Sequence, residues 1–118
     1  MNKNGGGVRS GILSLAIQSL DELYLCYMPF LKNNGLFIPT RKEFALGDDV
    51  FVLLELLEEP DKIPLTGKIV WISPAGSSGH RRQGVGIELP DDHSEALVHK
   101  IETHLAGMLS SDRPTYTI

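Results

Sequence analysis

The stretch that decides how this chain folds is Tyr27-Met28-Pro29-Phe30-Leu31-Lys32-Asn33-Asn34-Gly35-Leu36-Phe37-Ile38-Pro39-Thr40. Two apolar segments meet there across Asn33, Asn34 and Gly35. An Asn-Gly pair between hydrophobic runs is a strong hairpin signal, because both central residues of the tight turn need positive φ. The stretch therefore predicts a β-hairpin turning at Asn34-Gly35. Its first arm extends back over residues 23–31, where Pro29 removes a backbone donor and asks for an edge strand or a bulge. Its second arm, residues 36–38, is stopped by Pro39.

Outward from the hairpin the pattern stays extended. Before it, Leu13, Leu15 and Ile17 alternate with Ser14, Ala16 and Gln18, the signature of a half-buried strand over residues 8–17. Residues 19–22 read as a turn or a short helical start. After the hairpin, Gly47-Asp48-Asp49 marks a turn. Residues 50–57 are nearly continuous apolar sequence, which predicts a central strand covered on both faces. Residues 63–72 alternate as a long strand, with a bulge expected at Gly67. Residues 74–83 have the composition of a hairpin loop, and residues 84–89 return as a strand whose glycines suggest close backbone approach. The expectation is six strands with short connections, an all-β small barrel or sandwich. One helix follows: Asp92 and Glu95 form a capping-box-like start, and Leu97, Val98, Ile101, Leu105 and Met108 make one apolar stripe to pack on the sheet and close an open end.

Length and composition bound the function. At 118 residues the chain is long enough to bury about two-thirds of its unfolded surface, so one domain can fold without metals or disulfides. The expected organisation is a disordered start over residues 1–7, a folded unit over 8–109 and a tail over 110–118. No apolar run approaches the roughly 20 residues of a membrane span, residues 1–7 lack an apolar signal core, and Cys26 is alone. These features point to a cytoplasmic protein without membrane insertion. Fifteen acidic against eleven basic residues leave a net charge of −4, with basic pairs only at Arg41-Lys42 and Arg81-Arg82, which disfavours nucleic-acid binding.

Few constellations could carry chemistry. Cys26, flanked by Leu25 and Tyr27, reads as a small buried hydrophobe rather than a nucleophile. The four histidines, His80, His93, His99 and His104, show no converging ligand set for a metal. The pairs Asp48-Asp49, Glu58-Glu59 and Asp91-Asp92 sit at turns or a helix start, where carboxylates satisfy free amides. The loop from Gly76 to Arg82 could hold a phosphate or an acidic partner, but it lacks the ending of a nucleotide-binding loop and reads as a solvated hairpin tip. Nothing supports an enzyme, and no cofactor is expected. Tyr24 and Trp71 are the large aromatics expected to lie partly exposed, and an aromatic patch of that kind is how adaptor surfaces are built.

Tyr27-Met28-Pro29-Phe30, Gly35 to Thr40, Leu46-Gly47-Asp48, Pro64 to Trp71, Gly84-Val85-Gly86-Ile87 and Lys100-Ile101-Glu102-Thr103 together resemble the PilZ domain. More narrowly they resemble the subgroup that serves type IV pilus assembly and does not bind cyclic di-GMP, and the likeness runs collinearly over residues 8–118. It implies a six-stranded antiparallel PilZ-type β-barrel with a C-terminal helix. Most such domains bind cyclic di-GMP through Arg-x-x-x-Arg near the N-terminus and Asp/Asn-x-Ser-x-x-Gly at a later turn. Here Arg9 is the only arginine before Arg41, Phe30 stands for the acid and Lys32 for the serine, and only Gly35 matches. Losing several charge-assisted hydrogen bonds, each worth about 1.5–3 kcal/mol, is enough to abolish micromolar binding.

What the resemblance implies is a non-enzymatic adaptor for pilus assembly and twitching motility, monomeric when alone, bridging the pilus ATPase PilB and the EAL-domain regulator FimX. Tyr24, Met28, Trp71, Arg113 and Pro114 are the expected partner contacts. Two rival readings are a cyclic di-GMP receptor using Arg9, Lys32, Arg81 and Arg82 in a non-standard way, and an OB-like barrel binding single-stranded nucleic acid, which the acidic balance opposes.

Overall fold

A computed structural model describes residues 10–76, 82–90, 94–106 and 115–117. The element order is β1 (Ser10–Ile17), α1 (Leu20–Cys26), β2 (Tyr27–Met28), β3 (Gly35–Pro39), β4 (Asp49–Leu56), β5 (Ile63–Ser73), β6 (Gly84–Glu88) and α2 (Ser94–His104). Among the described residues, all six strands belong to one sheet in the order β1-β4-β5-β6-β3-β2.

Two features differ from the expected antiparallel barrel. The sheet is mixed, because β1 runs parallel to β4 from Ser10↔Asp49 to Ile17↔Leu56. It is also not closed, since β1 and β2 stand at opposite ends of the strand order without pairing. The first follows from connection length: parallel neighbours need a long crossover, and residues 18–48 supply one through α1, β2 and β3. The second follows from α1, which links the two outer strands where a hairpin would have paired them.

That helix replaces much of the strand expected over residues 23–31. Ser19 caps it by accepting from the Glu22 amide at 3.1 Å, while Glu22 Oε1 accepts from the Gln18 amide at 3.0 Å. The first bond satisfies an amide the helix start leaves free, and the second ties the first turn back to the residue before the cap. Leu23, Tyr24 and Cys26 are then buried, and Pro29 ends the extended segment after only Tyr27 and Met28. A short apolar run fits helix or strand equally, and here the capping pair before it decides.

The hairpin exists, with a different turn. Tyr27 pairs with Leu36 and Met28 with Gly35, so residues 29–34 form the connection. Asn34 alone takes positive φ, at 62°, and its amide donates to the Leu31 carbonyl at 3.0 Å. Gly35 lies inside β3 at a fully packed crossing: a Cβ there would sit 2.2 Å from the Ile87 carbonyl oxygen. Its role is close approach of β3 to β6, rather than turn conformation.

β4 is an inner strand, second in the order, and covered on one face only; burial alternates along it and Phe51 is 38% exposed. The bulge in β5 falls between Ile69 and Trp71 rather than at Gly67. The core gathers Leu13, Leu15 and Ile17 of β1, Val50, Val52, Leu54 and Leu56 of β4, and Leu36, Ile38, Ile69, Val85 and Ile87 from the other strands. α2 docks on it through Leu97, Ile101 and Leu105, as the stripe predicts; Asp92 and Met108 lie outside the described residues. Polar ties fix its pose. Tyr27 Oη donates to Glu102 Oε2 at 2.7 Å, and Glu59 of the β4–β5 connection receives Lys100 Nζ at 2.9 Å and faces His104 Nε2 at 3.5 Å.

Candidate partner-binding surface

Trp71 enters the surface at the β5 bulge. The extra residue re-aims the strand there, and the indole lies opposite Gly86 of β6. Room for it comes from that glycine, since a Cβ on Gly86 would stand 2.8 Å from Trp71 Cβ and from Met28 Sδ and Cε alike. Met28, fully buried, thus forms the floor beside a half-buried Trp71. Trp71 Nε1 donates to Ser73 Oγ at 3.0 Å, which satisfies its polar edge and holds the ring.

Phe30, 46% exposed on the β2–β3 connection, meets Trp71 edge-on with ring centroids 6.1 Å apart and planes at 62°. The result is a pair of aromatic rings open to solvent over an apolar floor. Phe30 was not among the contacts expected from the sequence. Its signal was nevertheless there: an aromatic at a polar, solvent-facing turn position buries nothing locally.

Of the expected contacts, the structure brings Met28 and Trp71 together at Gly86. Tyr24 is 6% exposed on α1 and belongs to the core, which differs from the partial exposure expected of it. The cause is the helix, whose inner side carries Leu23, Tyr24 and Cys26. Burial pushes the Cys26 thiol up to about 12, with the Glu22 carboxylate adding to the rise. Arg113 and Pro114 lie outside the described residues, but the chain just beyond them is well held. The Tyr116 amide donates to the Leu25 carbonyl at 3.0 Å, its ring packs 5.6 Å from Phe37, and the Arg82 guanidinium lies 5.6 Å from the same ring.

Around the hairpin turn, Lys32 is exposed and Asn33 borders a groove of about 820 Å³. The groove continues over Ile12, Phe51 and Thr66 to Lys68, Asp49 and Glu88. Its single ammonium is already engaged, Lys68 Nζ lying 3.1 Å from Asp49 Oδ1. Arg9 and Arg81 lie outside the described residues. Among the described residues no three His, Cys, Asp or Glu side chains gather to hold a metal, and no helix is long and apolar enough to cross a membrane.

The family model for the PilZ domain matches residues 12–107, which run from β1 past the end of α2. The chain belongs to the PilZ domain family. That places it among the adaptors and receptors of cyclic di-GMP signalling, domains that typically act as non-enzymatic effectors. No curated protein matches it. On the hairpin turn stand Phe30 and Lys32, and Gly35 serves the packing of β3 on β6.

Proposed function

We propose that this PilZ domain is a non-enzymatic cytoplasmic adaptor for type IV pilus assembly and twitching motility, bridging the pilus ATPase PilB and the EAL-domain regulator FimX without itself binding cyclic di-GMP. The observation that carries the reading is the Phe30–Trp71 pair. Two aromatic rings in edge-on contact over an apolar floor are the kind of rigid anchor that dominates protein interfaces, and one of them, Phe30, stands on the turn where, by the resemblance, the family's nucleotide motif would need an acid. Phe30 and Trp71 are the primary contacts. Met28 supports them from below, and the segment with Arg113 and Pro114 is a second contact region.

The test is co-purification with the ATPase. Wild-type protein retains it, while Phe30→Ala and Trp71→Ala lose it with their folds intact. Failure of the wild type to retain the ATPase would end the proposed function, and undiminished retention by both variants would move the contact elsewhere. Tyr24→Ala is a poor probe, because it opens the core.

The receptor alternative draws on the groove beside Asn33, which is large enough for a nucleotide. Its walls argue against a dianion: Asp49 and Glu88 outnumber Lys68, and Lys68 is already paired. Arg82 is likewise held against Tyr116. Titration calorimetry with cyclic di-GMP separates the two readings, with saturable micromolar heat favouring the receptor.

A further inference from the structure

We infer that the outer edge of β1 is a strand-addition surface whose occupant is β1 of a second copy of this chain, paired antiparallel about a two-fold axis at Leu15. In a parallel ladder, alternate residues turn both backbone groups to the same neighbour. The Ile17 carbonyl accepts from the Leu57 amide, at 2.8 Å, on the β4 side. Leu13, Leu15 and Ile17 therefore face β4, and Ile12, Ser14 and Ala16 face outward.

The outward ladder is closed at two places. Lys42 Nζ donates to the Ile12 carbonyl at 3.2 Å, and Glu22 Oε1 accepts from the Gln18 amide at 3.0 Å. Between these caps, among the described residues, no hydrogen bond reaches the outward amide and carbonyl groups of Ser14 and Ala16. β1 reads Ser-Gly-Ile-Leu-Ser-Leu-Ala-Ile, without a charge or a proline. It thus lacks the side chains that commonly blunt a sheet edge. Free backbone groups in an extended register are satisfied best by another extended backbone, as in β-strand addition.

The choice of occupant follows from symmetry and charge. The open window is centred on Leu15, with its caps three residues away on either side. Laying two windows antiparallel sets Ser14 of each copy opposite Ala16 of the other. The free amides and carbonyls of Ser14 and Ala16 then pair completely. The same alignment sets Ile12 opposite Gln18 as the next hydrogen-bonded pair of the new ladder, so the Lys42 ammonium and the Glu22 carboxylate leave the backbone groups they cap and meet each other across the seam at each end. Small exposed side chains at Ser14 and Ala16 offer no steric obstacle. Self-pairing is thus complementary in hydrogen bonds and in charge. The Phe30–Trp71 surface lies on other elements and remains open, and the pair replaces the monomer expected from the sequence.

Sedimentation velocity from low micromolar to near-millimolar protein tests this. The weight-average mass of wild type is expected to rise towards twice that of the chain. Ala16→Pro removes an edge amide at a position where an edge strand tolerates proline, and the mass should stay at one chain throughout. Lys42→Glu should abolish association by opposing Glu22, and Lys42→Glu combined with Glu22→Lys should restore it, a rescue that a folding defect does not produce. A constant monomer mass for wild type overturns the inference, including the case where that monomer binds a foreign extended peptide. So does association that survives both Ala16→Pro and Lys42→Glu, or a folded double variant that stays monomeric.

Discussion

Gly35→Ala probes the reason the hairpin turn keeps its glycine. The added Cβ would stand 2.2 Å from the Ile87 carbonyl oxygen and 2.7 Å from Leu31 Cδ1. A relaxed carbon–oxygen contact needs about 3.3 Å, so β3 and β6 must separate by about 1 Å. The obstructing atom is backbone and cannot swing aside. Separation at that point loosens the Gly35↔Glu88 and Leu36↔Ile87 pairs. Losing one or two ladder bonds costs about 1 kcal/mol each, and the residual strain of overpacking adds about 1–2 kcal/mol. The expected loss is about 2–4 kcal/mol, a fall in melting temperature of about 8–16 °C for a domain of this size. Urea and thermal denaturation followed by circular dichroism measure it. Gly35→Asn discriminates between explanations, because asparagine suits a positive-φ turn position but adds the same Cβ. Stability of Gly35→Asn within about 0.5 kcal/mol of wild type, a change typical of an unconstrained surface site, would refute the packing account.

Three further outcomes follow from single contacts. Tyr116→Ala removes the ring that packs on Phe37 and under Arg82, and should cost about 2 kcal/mol in urea denaturation, since the ring is half-buried. The Lys100 hydrogen bond holds the Glu59 carboxyl below its ordinary 4.5, so its stabilising effect is present above that value and is lost as pH falls through the lowered one. Glu59→Gln should lower the neutral-pH melting temperature modestly and flatten its decline in acid. Burial, and then the Glu102 hydrogen bond, raise the Tyr27 hydroxyl above its ordinary 10.0. Its contribution is therefore complete below that value and is lost as pH rises further. Tyr27→Phe should show a shallower alkaline loss of stability in pH-dependent denaturation.

How much was legible depended on which physical signal each element carries. The strict alternation of β1 and the three- and four-residue spacing of α2 are local patterns, and both elements form where those patterns lie. α1 was obscured because residues 23–28 are apolar on every side, which leaves period uninformative; the Ser19–Glu22 cap was the readable clue. The parallel β1–β4 pairing was not legible, since strand partners are chosen by tertiary packing rather than by the strand's own residues. At the turn, Asn34-Gly35 signalled a reversal correctly, but the glycine answers to Ile87, a residue far along the chain. The same distance hid the site. Trp71 was readable as a large aromatic, whereas its partnership with Phe30 and the space made by Gly86 depend on a bulge and a loop brought together by the fold.

The measurement closest to the central claim is retention of the pilus ATPase by purified wild-type and Phe30→Ala/Trp71→Ala protein, with thermal melts recorded in parallel. Retention by wild type, lost in a double variant that still melts cooperatively, is the predicted result. Equal retention by the two proteins, or none by wild type, would contradict it.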